Sequence, residues 1–423
     1  MAEIKKKIEE KTKEKVKNVQ KEVKRKVDEE INFEKKMTTL STTEFMLVIL
    51  VGIIIGAALT TVAFNKEAKR EKNKYIQVDD NVQALVETYT DIMNNYYLDV
   101  DSTKIINGGI KGMLEAVDEP YTTFMETTTY DNFNITLNGS YEGLGVEISK
   151  LNDQIVIVGL FADSPAIEAG LQLGDIIISI DDKSSTDMTT SDFSTYVRNS
   201  EKKDFKLVIK RDEKERTYTI TKRHIELKSV ISKLYEESGK KIGYIYMSIF
   251  ASNSYTQFKK ELKSLEEQNI DSLIIDLRDN SGGDLETTTN IISLFMNSDK
   301  VIFQMETRDG TREKTYSKGN VDKEYPIVVL VNGNTASASE VLTSALKDNL
   351  NATIIGEKTF GKGTVQTLSL TSTMEQYKMT TKKWLTPNGN WIHGEGIKPD
   401  VEVKLNENTD NQLEAAKKYL MDN

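Results

Sequence analysis

The chain has 423 residues, 38% hydrophobic and 29% charged, which excludes a single small domain and disorder throughout and predicts two or three folded units. Its 56 basic and 66 acidic side chains give a formal charge of -10, whereas a general nucleic-acid binder carries a basic footprint. There is no cysteine and only two histidines, His224 and His393, so disulfides, thiolate nucleophiles and a multi-histidine metal centre are excluded, and hydrolytic chemistry would turn to lysine or a carboxylate for its base.

Residues 1–44 form a basic arm with Val16, Val19, Val23, Val27 and Ile31 at helical spacing, which predicts a thin amphipathic stripe on a solvated or membrane-apposed helix. Phe45 to Phe64 is a run of 20 residues without a charge, long enough at helical rise to cross a bilayer, and is predicted to be a transmembrane helix. The 44 residues before it are far longer than the basic region of a signal peptide, so the anchor is expected to stay. The arm carries 13 basic and 10 acidic residues, net +3, which favours an inside N-terminus. Lys66, Lys69, Arg70, Lys72 and Lys74 crowd the other flank, so charge alone leaves the orientation open.

Residues 65–140 read as a linker and a small helical unit. Val82, Leu85, Val86, Tyr89, Ile92 and Met93 share one helical face, and a second helix near Ile105 to Val117 ends at Asp118-Glu119-Pro120. From 141 to 223 short β-branched runs, Leu144 to Ile148, Ile155 to Val158, Ile176 to Ile180 and Phe205 to Ile209, predict a β-rich domain with turns at Gly174-Asp175 and Asp181-Asp182. From 224 to 408 strands alternate with longer helical segments, which predicts an α/β core with a partly parallel sheet, and 409–423 reads as a terminal helix.

Three segments of the core could carry chemistry. Gly356 to Gly363 matches a phosphate-binding loop as far as its lysine, but Gly363 stands where a magnesium-binding Ser or Thr is needed, so an ATPase is the weaker alternative. Asn332 to Glu340 follows a strand and opens a helix. Ser337 with Glu340 fits a capping box, and the same geometry sets a serine beside unpaired N–H groups that can stabilise an oxyanion. Gly282-Gly283 closes the strand and turn Ile274 to Ser281, either as an ordinary turn or as a place where bare backbone amides approach a substrate carbonyl.

Taken together, these segments resemble the C-terminal processing proteases, tail-specific Ser/Lys peptidases of bacteria and plastids, from about residue 75 to the end. The carriers are Gly139 to Val146, Ser164-Pro165-Ala166, Ala169-Gly170-Leu171, Gly174-Asp175, Asp276 to Asn280 with Gly282-Gly283, Thr335 to Glu340, and Thr359 to Gln366. The resemblance implies Ser337 as nucleophile, Lys362 as general base and Gln366 as the residue that orients the lysine. Ser339 competes as nucleophile, but the step of 25 residues to Lys362 matches the family only from Ser337. A lysine can act as base only if burial lowers its pKa, and Phe360 and Val365 beside Lys362 are expected to supply apolar walls.

The resemblance further implies an oxyanion hole made of the Ala338 N–H with that of Gly283 or Gly282. It makes 141–223 a PDZ domain whose Gly143, Leu144, Gly145 and Val146 bind the C-terminal carboxylate of a protein or peptide tail. Arg198 falls where related proteases use a regulatory arginine, and His393 lies in a turn with a structural role. The catalytic region is expected outside the cytoplasm, with no cofactor, metal or nucleic acid required, and Asn411 to Leu420 resembles a dimerising segment. Two departures stand out: the stretch Val117 to Thr123 lacks a histidine often found there, and Asn334 occupies a position commonly small. A catalytically silent PDZ tail-binding scaffold is the other alternative.

Overall fold

The computed structural model describes residues 17–26 and 80–423, apart from 320, 322, 372–374 and 407. It divides into two units, Met1–Val100 and Asp101–Asn423. In the first, residues 17–26 are helical and exposed, and the helix Asp80–Asn95 leaves Val82, Leu85 and Val86 exposed on its predicted apolar face. Among the described residues no helix is long and apolar enough to cross a membrane, and the predicted span Phe45 to Phe64 lies outside them.

The second unit opens with the helix Ser102–Glu115, capped by the Asp101 carboxylate on the N–H groups of Thr103 and Lys104, and continues into the short strand Thr123–Met125 and the helix Thr127–Asn138. The β-rich domain follows as an antiparallel sheet whose spatial order is Val146–Leu151, Gln154–Leu160, Ile176–Ile180, Asp204–Arg211 and Lys214–Thr221. Phe205, Leu207 and Ile209 alternate inward, as period-two patterning requires, and pack with Ile155, Ile157 and Ile177 against Phe193 and Val197 of the helix Thr190–Asn199. The turn residue Asp175 is fully buried and is neutralised by Arg211 at 2.6 Å. A two-stranded ribbon, Ser140–Gly143 with Arg223–Glu226, joins this domain to the core.

The core sheet has six strands in the order Val230–Glu237, Lys240–Met247, Ser272–Asp276, Ile327–Val331, Thr353–Gly356 and Val401–Glu402. Its first pair is antiparallel and the others are parallel, the partly parallel sheet expected. Ser272–Asp276 and Ile327–Val331 are buried throughout because helices cover both faces. Ser254–Glu267, Leu285–Ile292 and Ala338–Leu350 pack on one face, and Asn411–Asp422 packs on the other through Ala416 and Leu420 against Ile274, Val328 and Leu330. Ala416 and Leu420 of the terminal helix are thus covered by its own chain.

A second, antiparallel sheet was not anticipated from the sequence. Gln376–Leu385 is its spine and pairs with Thr123–Met125, Val301–Thr307 and Thr364–Leu370, while Arg312–Tyr316 adds to Val301–Thr307. The spine reads QYKMTTKKWL and is half-buried over most of its length, so it has neither the alternation nor the apolar run that marks a strand. This sheet carries the lysine side of the site described next.

Candidate active site

Parallel strands end at a common edge, and the loops that leave the carboxyl ends of Ser272–Asp276 and Ile327–Val331 meet there. The first loop carries Gly282 and Gly283. The second carries Ser337, which takes φ 56° and ψ −118° immediately before the helix Ala338–Leu350. A non-glycine residue held at positive φ costs about 1–3 kcal/mol and persists only where its surroundings enforce it. Those surroundings are Thr335, whose hydroxyl donates to Leu277 O at 2.8 Å, and Ala336, whose N–H donates to Asn280 O at 3.0 Å.

Gly282 packs so tightly on this loop that an added Cβ would lie 2.7 Å from Ala336 O and 2.9 Å from both Ala338 N and Ser337 Cβ. The structure therefore brings Ser337, Ala338 and the glycine pair together. Gly282 N–H donates to Asn280 Oδ1 at 2.9 Å, whereas no hydrogen bond of the Gly283 or Ala338 N–H occurs among the described residues. Ser339 is fully buried and its hydroxyl donates to Asn280 O at 2.9 Å, which gives it a structural task.

The lysine side is tied to the serine side by one carboxylate. Glu340, fully buried, accepts from Ser337 N–H at 2.9 Å, Thr359 Oγ1 at 2.6 Å, Gly361 N–H at 2.7 Å and Lys362 N–H at 2.8 Å. Burial pushes its pKa up, and the four donors oppose that shift. The capping-box glutamate expected from the sequence thus reaches beyond its own helix. Trp384 Nε1–H donates to Lys362 O at 2.8 Å and Trp391 Nε1–H to Gly363 O at 2.9 Å. His393 Nδ1 accepts from Gly363 N–H at 3.3 Å, so this histidine buttresses the loop from outside. After Gly363 the chain runs into the strand Thr364–Leu370, whereas a phosphate-binding loop opens a helix, and the ATPase alternative falls.

Lys362 is half-buried, and its Nζ lies 4.6 Å from the centroid of the Tyr121 ring. Burial lowers its pKa and the positive charge of Lys378 lowers it further, while Glu119 and Glu340 raise it. No hydrogen bond joins Lys362 Nζ to Ser337 Oγ in this structure. Phe360, expected as a wall, is 53% exposed, and the aromatic face against the lysine belongs instead to Tyr121. Gln366 Nε2 donates to Thr364 Oγ1 and Thr380 Oγ1, both at 3.0 Å. Ser337, Lys362 and Gln366 line one cleft of about 970 Å³ together with Gly282, Gly283 and Tyr121. Sequence reasoning missed Tyr121, Glu119 and Thr380; the one available signal was Glu119-Pro120-Tyr121-Thr122-Thr123, read there as a helix end and as a stretch that lacks a histidine.

A second cavity, of about 310 Å³, lies in the β-rich domain between the Gly143, Leu144 and Val146 segment and Phe193, Val197 and Arg198. Gly145, at φ 79°, leaves no room for a side chain, since an added Cβ would lie 2.2 Å from Ser164 Cβ. The helix Thr127–Asn138 stands between the two cavities: Asn132 and Ile135 line this one, and Phe133, Thr136 and Leu137 line the cleft. Asp131 on the same helix forms an ion pair with Arg198 at 3.0 Å, a contact not aligned as a hydrogen bond.

A mixed α/β core with a cleft at its sheet edge, joined to an antiparallel sheet domain with its own groove, defines a peptidase that carries a PDZ domain. Peptidase family S41 matches residues 241–403, a PDZ domain matches 143–221, and the N-terminal domain described for the activating protease CtpB matches 53–129. The carboxy-terminal processing protease CtpB of Bacillus subtilis is 34% identical over 328 residues, 77% of this chain and 68% of that protein. CtpA of Bacillus subtilis is 32% identical over 363 residues, 86% of this chain and 77% of that protein. Among solved structures, a photosystem II D1 C-terminal processing protease is 27% identical and covers 80% of this chain and 90% of its own, with a TM-score of 0.48. The chain belongs to the C-terminal processing proteases of peptidase family S41 and is a serine-type endopeptidase with a PDZ domain.

Because four donors converge on Glu340, Glu340→Ala is expected to lower stability by at least about 3 kcal/mol, since each buried donor left unpaired costs about 1–3 kcal/mol. Urea unfolding checks this, and a midpoint within error of the parent would show that the carboxylate does not hold the two segments together.

Proposed function

We propose that Ser337 is the nucleophile and Lys362 its general base, in a membrane-anchored protease that selects substrates by their C-terminal tails. The observation that carries the dyad is Glu340: one buried carboxylate binds the backbone N–H of both Ser337 and Lys362 at 2.9 and 2.8 Å and so sets the two residues in one frame. In the reaction the neutral Lys362 amine leaves the Tyr121 ring and takes the Ser337 hydroxyl proton as Oγ bonds to the scissile carbonyl carbon. The oxyanion is held by the unspent N–H groups of Ala338 and Gly283; Gly282, whose N–H serves Asn280, makes room for them. Collapse breaks the C–N bond, the lysine ammonium gives its proton to the leaving amine, and water then releases the acyl group by the same route. Gln366 orients the lysine.

The Gly143 to Val146 segment would bind the tail carboxylate through backbone donors, with an apolar terminal side chain beside Phe193 and Val197. Arg198 gates the enzyme without holding the tail itself: its ion pair with Asp131 ties the PDZ domain to the helix that walls both cavities. The apolar run Phe45 to Phe64 supports a single membrane span with residues 1–44 inside and the folded region outside the cytoplasm.

Ser337→Ala and Lys362→Ala are each expected to abolish peptide cleavage while the far-UV spectrum stays that of the parent, because the two act as one unit. In the parent, kcat/KM should fall as pH drops through a Lys362 pKa held below the ordinary lysine range. Turnover that survives either substitution removes the dyad.

For tail selection, amidating the C-terminus of a peptide that ends in an apolar residue should weaken its binding at least tenfold, and Arg198→Ala should lose turnover while tail affinity is kept. Equal cleavage of free and amidated peptides by the intact enzyme rules tail recognition out. For topology, protease added to intact spheroplasts should clip the folded region and spare the arm, and the reverse pattern would place the catalytic region in the cytoplasm.

A further inference from the structure

The Gln366 amide has two ends, and which of them meets the lysine matters: a carbonyl oxygen can accept from a lysine amine, an NH2 cannot. The hydrogen bonds assign the ends. Both N–H groups are used, on Thr364 Oγ1 and Thr380 Oγ1 at 3.0 Å each, which leaves Oε1 as the end free for Lys362. Thr380 stands opposite Gln366 because the strand register shifts between Val365 and Gln366; the earlier pairs, Thr364 with Lys383 and Val365 with Lys382, would otherwise put Thr381 there.

A threonine hydroxyl can donate or accept, so Thr380 alone does not decide the orientation. Glu119 decides it. Its Oε2 accepts from Tyr121 N–H at 3.2 Å, Thr122 Oγ1 at 2.7 Å and Thr380 Oγ1 at 2.9 Å. With the Thr380 proton committed to the carboxylate, its lone pairs face Gln366 Nε2. Glu119 Oε1 is buried and has no hydrogen-bond partner among the described residues.

We propose that Glu119 is a positioning residue for the hydrolytic step, which through Thr380 fixes the Gln366 amide with its carbonyl toward Lys362. The inference rests on the reading of Ser337 and Lys362 as the dyad. Glu119 also faces Lys362 as a negative charge beside that of Glu340, with Lys378 and the Tyr121 ring as the other titratable groups around the amine.

The two contributions separate by substitution in the full-length enzyme, assayed on fluorescently labelled casein and titrated with a fluorophosphonate. Thr380→Val removes the hydroxyl that relays the orientation and should lower kcat at least tenfold with KM within twofold, whereas Thr380→Ser should restore it. In the Gln366→Ala background the same Thr380→Val change should cost less than twofold, since the amide it orients is gone. Glu119→Gln keeps an acceptor for the three donors but removes the charge. The pKa of Lys362 should then fall, and the acid limb of kcat/KM should move to lower pH. Equal rates for Thr380→Val and Thr380→Ser, or losses that multiply in the double variant, overturn the relay, and an unmoved acid limb in Glu119→Gln overturns the charge effect. Cleavage that persists in Ser337→Ala would instead remove the dyad itself, while a dead Ser337→Ala beside unaffected Thr380 and Glu119 variants removes only this inference.

Discussion

The buried carboxylate of Glu340 holds together two chain segments that come from different sheets. One is the strained serine turn at the edge of the six-stranded sheet; the other is the loop Thr359 to Lys362, which feeds the antiparallel sheet. Neither segment could keep its conformation alone, since Ser337 sits at positive φ and Gly361 approaches the turn at Gly394 to Gly396 too closely for a side chain. Charge-assisted hydrogen bonds are about twice as strong as neutral ones, and four on one acceptor make the frame stiff where the chemistry needs it. Burial raises the Glu340 pKa and lowers that of Lys362.

Around that frame the small helical unit has a larger part than its size suggests. Its turn at Glu119 and Tyr121 closes over the lysine, its short strand pairs with Gln376–Leu385, and its helix Thr127–Asn138 walls both the cleft and the PDZ groove. Coupling carried by such an element requires two arrangements that a ligand can bias, and the ion pair between Asp131 and Arg198 ties this helix to the PDZ domain.

Much of the site was legible. The segment Thr335 to Glu340 announced a helix start after a buried strand, the glycine pair offered a close backbone approach, and the family resemblance, through the step to Lys362, favoured Ser337 over Ser339. The choice between the two glycines was not legible, because it turns on whether the Asn280 side chain spends one N–H. Glu119, Tyr121 and Thr380 were not legible either, since two of them lie more than 200 residues before Lys362 and their polar side chains look like ordinary turn residues until the sheets are assembled.

By itself the sequence determined the layout: an uncharged run of 20 residues, a β-rich domain with its turn at Gly174-Asp175 and a partly parallel core, while the candidate dyad came from the family resemblance of its segments. These are written in local pattern, in hydrophobic period, glycine placement and motif spacing, which a chain carries whether folded or not. Tertiary structure alone decided how Lys362 is surrounded, which N–H groups stay unspent, and how the Gln366 amide faces. Each of those depends on burial and on hydrogen-bond partners contributed by other segments. A lysine's pKa is lowered by the water it loses, and which residues displace that water is settled only when Tyr121, Trp384 and Lys378 arrive around it from distant parts of the chain.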